Sequence, residues 1–153
     1  MTSVTAEQEV ERWILEDYLP KQFNHSFRSK KLPLQSRGET KFAAVSDDSE
    51  VVAAICVKPG YGANGKVDTE ALMKVRSDAL KLLWLEHTPA KRFMIFTESS
   101  MMRLIREEIK KGHFPKEVEI VRVKLPAVLV ANIDESQVHA TDGIQSNHDK
   151  AEG

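Results

Sequence analysis

Residues Lys41–Asp68, KFAAVSDDSEVVAAICVKPGYGANGKVD, decide the fold. Val51–Val57 is an unbroken apolar run of Val, Ala, Ile and Cys, which predicts a strand buried on both faces. Phe42–Ser46 predicts a second strand. Ser46-Asp47-Asp48-Ser49-Glu50 joins the two as a turn, because short polar side chains bond their own backbone there. Val51–Lys58 and Phe42–Ser46 therefore form a hairpin. Gly60, Gly62 and Gly65 supply a loop able to take positive φ or to pass close to a neighbour. Asp68 then caps a helix through about His87, with Leu72, Val75, Ala79, Leu82 and Leu83 at core spacing.

On the N-terminal side, Thr5 and Gln8 form a capping box for a helix carrying Val10, Trp13, Ile14 and Tyr18 on one face. Pro20 is expected to end it. Glu7, Glu9, Glu11 and Glu16 occupy other faces, where the early ones suit the helix dipole. Phe27–Lys41 predicts a first strand, interrupted or edge-placed by Pro33, with a turn at Ser36-Arg37-Gly38. Arg28, Lys30, Lys31, Arg37 and Lys41 face a single acid there, Glu39. Such a run is a solvated, aggregation-resistant edge or a phosphate-contacting patch.

On the C-terminal side, Arg92–Phe96 predicts a strand. Thr97 or Ser99 is expected to cap a helix with Met101, Leu104, Ile105 and Ile109 inward, closed by Gly112. Val118–Val123 alternates as a further strand, and Pro126–Ile133 predicts a short helix. From Ser136 the text is polar and predicts a disordered tail, leaving residues 1–135 as one α/β domain. The predicted order αβββαβαβ implies a central mixed sheet of about five strands flanked by helices on both faces.

Composition bounds the function. The chain has 153 residues, 41% hydrophobic and 29% charged, with formal net charge −1. That balance gives no global attraction to polyanions, so nucleic-acid contact requires a local basic patch. Lone Cys56 excludes an internal disulfide and fits a reducing compartment. No apolar run approaches the roughly 20 residues of a membrane span. These features predict a cytoplasmic protein with no membrane partner. The histidines lack metal-ligand spacing, so no metal site is read from them.

The order of elements resembles the PD-(D/E)XK, or restriction-endonuclease-like, superfamily over about residues 6–123. In that family an Asp on the second strand and an acid-x-Lys on the third hold Mg²⁺ and position water, and an acid on the first helix often assists. The resemblance implies that Lys58 is the motif lysine, the catalytic candidate. The acid two positions earlier is replaced by Cys56, and Ala43 and Ala44 stand where the strand-two Asp is expected. A thiol is a poor Mg²⁺ ligand. Glu39 lies about 13 Å from Ala43 along a strand, too far for simple substitution. The implied function is therefore a nuclease-like domain without a working metal site, acting in nucleic-acid binding (DNA or RNA) or as an interaction module. Mg²⁺ is implied only for an active nuclease with relocated acids. Arg28, Lys30, Lys41, Tyr61 and Lys66 are the expected nucleic-acid or phosphate contacts, with Tyr61 available to stack.

Gly60-Tyr61-Gly62-Ala63-Asn64-Gly65-Lys66 also satisfies G-x-x-x-x-G-K, which predicts the alternative of a phosphate- or nucleotide-handling enzyme. Val67 stands where such a loop has Ser or Thr, and Asp68 would repel phosphate at the helix N-terminus.

Overall fold

The computed structural model describes residues 5–131. Strands β1 (Phe27–Pro33), β2 (Glu39–Ser46) and β3 (Val51–Cys56) form an antiparallel meander. Strands β4 (Lys91–Phe96) and β5 (Glu119–Arg122) follow in parallel, giving one five-stranded mixed sheet in sequence order. Parallel neighbours need crossovers. Here they are helices α3 (Thr69–Leu83), leading from β3 to β4, and α4 (Ser99–Lys110), leading from β4 to β5. Ahead of the sheet, α1 (Ala6–Trp13), a π-helical turn (Ile14–Tyr18) and α2 (Leu19–Phe23) run on from one another.

The apolar run of β3 is buried throughout, as a central strand requires. Its side chains alternate between two cores. Val51, Ala53 and Ile55 join Val10, Ile14 and Leu19 beneath the N-terminal helices. Val52, Ala54 and Cys56 join Val75, Ala79 and Leu82 of α3 and Met101 and Ile105 of α4. Each large side chain so buried contributes about 1.5–3 kcal/mol, and together they clamp β3 between helical layers.

Local detail departs from the sequence reading where tertiary contacts prevail. Pro20 does not end the first helix: the π-turn widens the ladder, with the Leu19 amide reaching back to the Ile14 carbonyl, and Pro20 falls at the start of α2. There its missing N–H costs nothing. The helix instead stops at Asn24, in the left-handed region at φ 58°. In the β1–β2 turn the left-handed residue is Arg37, φ 74°, rather than Gly38. β2 begins at Glu39, so Lys41 is inside it, and β3 ends at Cys56, two residues before Lys58. Helix α3 stops at Leu83, short of His87, because the chain beyond turns to pair with the end of β1. Trp84 O accepts from the Gln35 amide and Glu86 N donates to Pro33 O, while Leu85 is buried.

Neither Thr97 nor Ser99 caps α4. Glu98 is its N-cap residue and makes no side-chain capping bond. Gly112, φ 77°, closes the helix with a Schellman pair: His113 N bonds Glu108 O and Gly112 N bonds Ile109 O. Residues 127–131 are helical, with Pro126 just ahead of them, while Asn132, Ile133 and the tail from Ser136 lie outside the described residues. No described helix is long and apolar enough to cross a membrane.

Candidate functional site

The sheet parts at its middle. β2 and β3 are matched only at Ala44–Ala53 and Val45–Val52. Toward the C-terminal end of β3, residues 54–56 keep their pairing with β4 and have none with β2. A β-bulge falls at the same place: Arg28 faces Val45 and Lys30 faces Phe42, so Ser29 alone opposes Ala43 and Ala44. A bulge breaks the two-residue alternation and re-aims side chains. Phe42 and Val45 accordingly share one core while Ala44 joins the other.

The wedge between the parted strands is a cleft of about 490 Å³. Ala43, Ala54 and Cys56 line it from the strands, and Lys58 from just past the end of β3. Glu7 and Glu11 enter from α1, and Lys74, Asp78 and Lys81 from α3. Helix α1 is oriented by its capping box, in which Gln8 N donates to Thr5 Oγ1 at 3.1 Å and Thr5 N to Gln8 Oε1 at 3.0 Å. With Val10 and Ile14 fixed in the core, the i, i+4 pair Glu7 and Glu11 falls on the edge facing the cleft. Residues 74, 78 and 81 share one side of α3 at four- and three-residue spacing.

Lys58 Nζ meets Glu7 Oε2 at 2.9 Å. The Glu7 hydrogen bond raises the Lys58 pKa, so the ammonium form is reinforced. Lys74 Nζ meets Asp78 Oδ2 at 3.0 Å. The Glu11 carboxyl is pushed up by burial first and by the neighbouring Glu7 charge second, against the pull of Lys74. Glu11 and Lys74 belong to helices on opposite faces of the sheet, and both line the gap between β2 and β3. Burial also raises the Cys56 thiol, whose Sγ contacts the Lys58 carbonyl at 3.7 Å. A protonated, enclosed thiol is neither nucleophile nor metal ligand.

Lys41, Lys58, Lys74 and Lys81 set against Glu7, Glu11 and Asp78 give four positive and three negative groups, a formal +1. Lys41 and Lys81 make no ion pair among the described residues. The carboxylates of the cleft do not converge as ligands. Among the described residues the one group of three close metal-ligating side chains is His25, Asp47 and Asp48, outside the cleft. There the imidazole lies between two acids, Nδ1 at 2.9 Å from Asp47 and Nε2 at 3.6 Å from Asp48. Both ring nitrogens face carboxylates of the β2–β3 turn.

Of the residues singled out from sequence, Lys58 and Lys41 line the cleft together with Ala43 and Cys56. Arg28, Lys30, Tyr61 and Lys66 do not. Arg28 and Lys30 lie on edge strand β1, and Tyr61 and Lys66 in the loop ahead of α3. Sequence reasoning missed Glu7, Glu11, Lys74, Asp78 and Lys81. The signal was the i, i+4 spacing of acids on the first helix, which helix-dipole stabilisation already accounted for.

The glycine loop is closed on itself. Gly62 N donates to Lys66 O, Gly65 N to Gly62 O, Asp68 N to Gly60 O and Lys66 N to Asn64 Oδ1, while Gly60 N donates to Ser100 Oγ. Phosphate loops keep such amides free for the ligand. The Asp68 carboxylate caps α3 by accepting from Ala71 N at 3.0 Å. Comparison with models of protein families, with curated proteins and with solved structures finds no match to this chain.

Proposed function

We propose that this chain is a restriction-endonuclease-like domain that binds nucleic acid in the wedge between β2 and β3 without a working Mg²⁺ site. The observation that carries the reading is that Lys58, Ala43 and Cys56 line one cleft, at positions where the resembled family has lysine and two acids. Lysines from β2, the end of β3 and α3 face the same space. That suits a phosphate backbone, whose binding draws on clustered cations. Methyl and thiol groups in place of carboxylates remove the hard ligands that Mg²⁺ needs. The closed hydrogen bonding of the Gly60–Lys66 loop supports this reading over nucleotide handling.

The test is fluorescence anisotropy of labelled single- and double-stranded DNA and RNA across a salt series, with and without Mg²⁺. Lys58→Ala and Lys74→Ala should each weaken binding and lower the salt slope by about one unit. Lys66→Ala and Lys110→Ala should leave both unchanged. The labelled strands should stay intact in Mg²⁺. Equal losses for all four variants would refute a cleft-centred site, and strand scission would restore an active nuclease with relocated acids.

A further inference from the structure

The wedge between β2 and β3 has an open strand edge inside it. Cys56 O accepts from Thr97 N at 3.2 Å, so Cys56 turns its peptide groups toward β4. Successive residues of a strand turn theirs to opposite sides, which sends the Ile55 N–H and C=O toward β2. The pairing of β3 with β2 stops at Ala53, opposite Ala44, and leaves Ile55 facing no β2 residue. The Ile55 side chain lies in the core with Val10 and Ile14, yet the residue lines the cleft. Ile55 thus offers the cleft one main-chain donor beside one acceptor. Such groups demand partners, and a neighbouring donor and acceptor match the hydrogen-bonding edge of a nucleobase.

The rest of the cleft fits the same group. Ala43 of β2, Ala54 of β3 and Ala71 of α3 give it methyl-sized walls, which is why room remains between the elements. Its volume of about 490 Å³ is that of a site for one small molecule. The side chains of Lys58 and Lys74 are 55% and 74% exposed and stand at the mouth, whereas Ala54 is buried at depth. An apolar interior below a cationic rim suits a flat base inside with its phosphate outside. A duplex keeps its bases paired and stacked, so it would meet the rim alone; a single strand can splay one base out. We propose, resting on nucleic-acid binding by this cleft, that it receives one unpaired nucleotide of a single strand, with the base edge on the Ile55 main chain and the phosphate beside Lys58 and Lys74.

The test is fluorescence anisotropy of the full chain with single strands of DNA and RNA about eight nucleotides long, within the reach of one small domain. The matching duplexes, and strands of equal charge with every base removed, are measured in parallel. The single strands should bind at least about tenfold tighter than the duplexes, whose bases must first be unpaired, and than the baseless strands. Ala43→Met and Ala71→Met, at half-buried positions on the cleft wall, should weaken single-strand binding about tenfold by filling the space, with the salt slope unchanged because no lysine is lost. Circular dichroism melting should show the variants folded, and either alone suffices. Duplexes or baseless strands that bind as tightly as single strands, with Lys58→Ala still weakening them, overturn the unpaired-nucleotide site and leave nucleic-acid binding by the cleft standing. Folded methionine variants that bind as the wild type does have the same consequence. Binding of no strand at all refutes nucleic-acid binding itself, and the nucleotide site with it.

Discussion

Gly60 tests whether the glycine-rich loop is built for a ligand or for the protein itself. A Cβ placed there would lie 2.7 Å from Leu104 Cδ1, 3.0 Å from Ser100 O and 3.1 Å from Met101 N. The first contact is with the end of a flexible side chain, but the other two are backbone atoms in the first turn of α4. That turn is held by the sheet beneath Met101 and cannot retreat cheaply. Overpacking of this kind costs about 1–3 kcal/mol. At about 2 kcal/mol, Gly60→Ala should lower the melting temperature by about 4–8 °C in a chain of this size. Its loop neighbours provide the controls. At Gly62 the nearest atom would be Asn64 Oδ1 at 3.4 Å, an ordinary contact, so Gly62→Ala should stay within about 0.5 kcal/mol. Gly65 meets nothing but sits at φ +78°, so Gly65→Ala should cost about 1–2 kcal/mol through the backbone alone. Urea titrations should show these as midpoint shifts at constant m. Leu104→Ala combined with Gly60→Ala should recover only the side-chain part of the loss. Full recovery, or a Gly60→Ala protein as stable as Gly62→Ala, would refute the argument that α4 backbone requires the glycine.

Three further outcomes are expected. Glu11→Gln should stabilise the fold at neutral pH: a carboxyl raised by burial holds its proton more tightly folded than unfolded, so stability falls as pH rises above the ordinary value of 4.5. The gain should vanish below that value, and urea midpoints showing the same gain in acid and at neutrality would contradict the burial argument. Thr97→Val should stabilise by about 1 kcal/mol, because Thr97 Oγ1 is buried with no hydrogen-bond partner among the described residues; a loss on thermal melting would mean that the hydroxyl is satisfied. Ala43→Asp combined with Cys56→Glu should create a Mg²⁺ site seen by calorimetry, and absence of binding by the folded variant would show that the motif positions do not converge.

The periodic parts of the chain were legible because burial writes them directly. A strand covered on both faces must be apolar throughout, as Val51–Val57 is, and a helix packed on one side must repeat as Val75, Ala79 and Leu82 do. Boundaries were lost where a distant segment competed for the same backbone groups, as Gln35 and Pro33 do for the chain after Trp84. The cleft was harder for a related reason. Its walls come from six elements, α1, the π-turn and β1 among them, and the bulge at Ala43–Ala44 beside it has no residue signature in two alanines.

Lys58 could be singled out because a resembled motif named its position, yet its partner Glu7 lies 51 positions earlier, on a helix whose acids already had a sufficient local explanation. The proposed function therefore draws on residues that sequence places far apart. Lys58 with Glu7 joins the segment after β3 to α1, and Glu11 and Lys74 line the cleft from opposite faces of the sheet. Under that proposal, a phosphate entering the wedge would exchange with Glu7 for the Lys58 ammonium. The half-exposed pair contributes only about 0–1 kcal/mol, so that exchange costs little. An ion pair this weak keeps the lysine charged and oriented without withholding it from a polyanion.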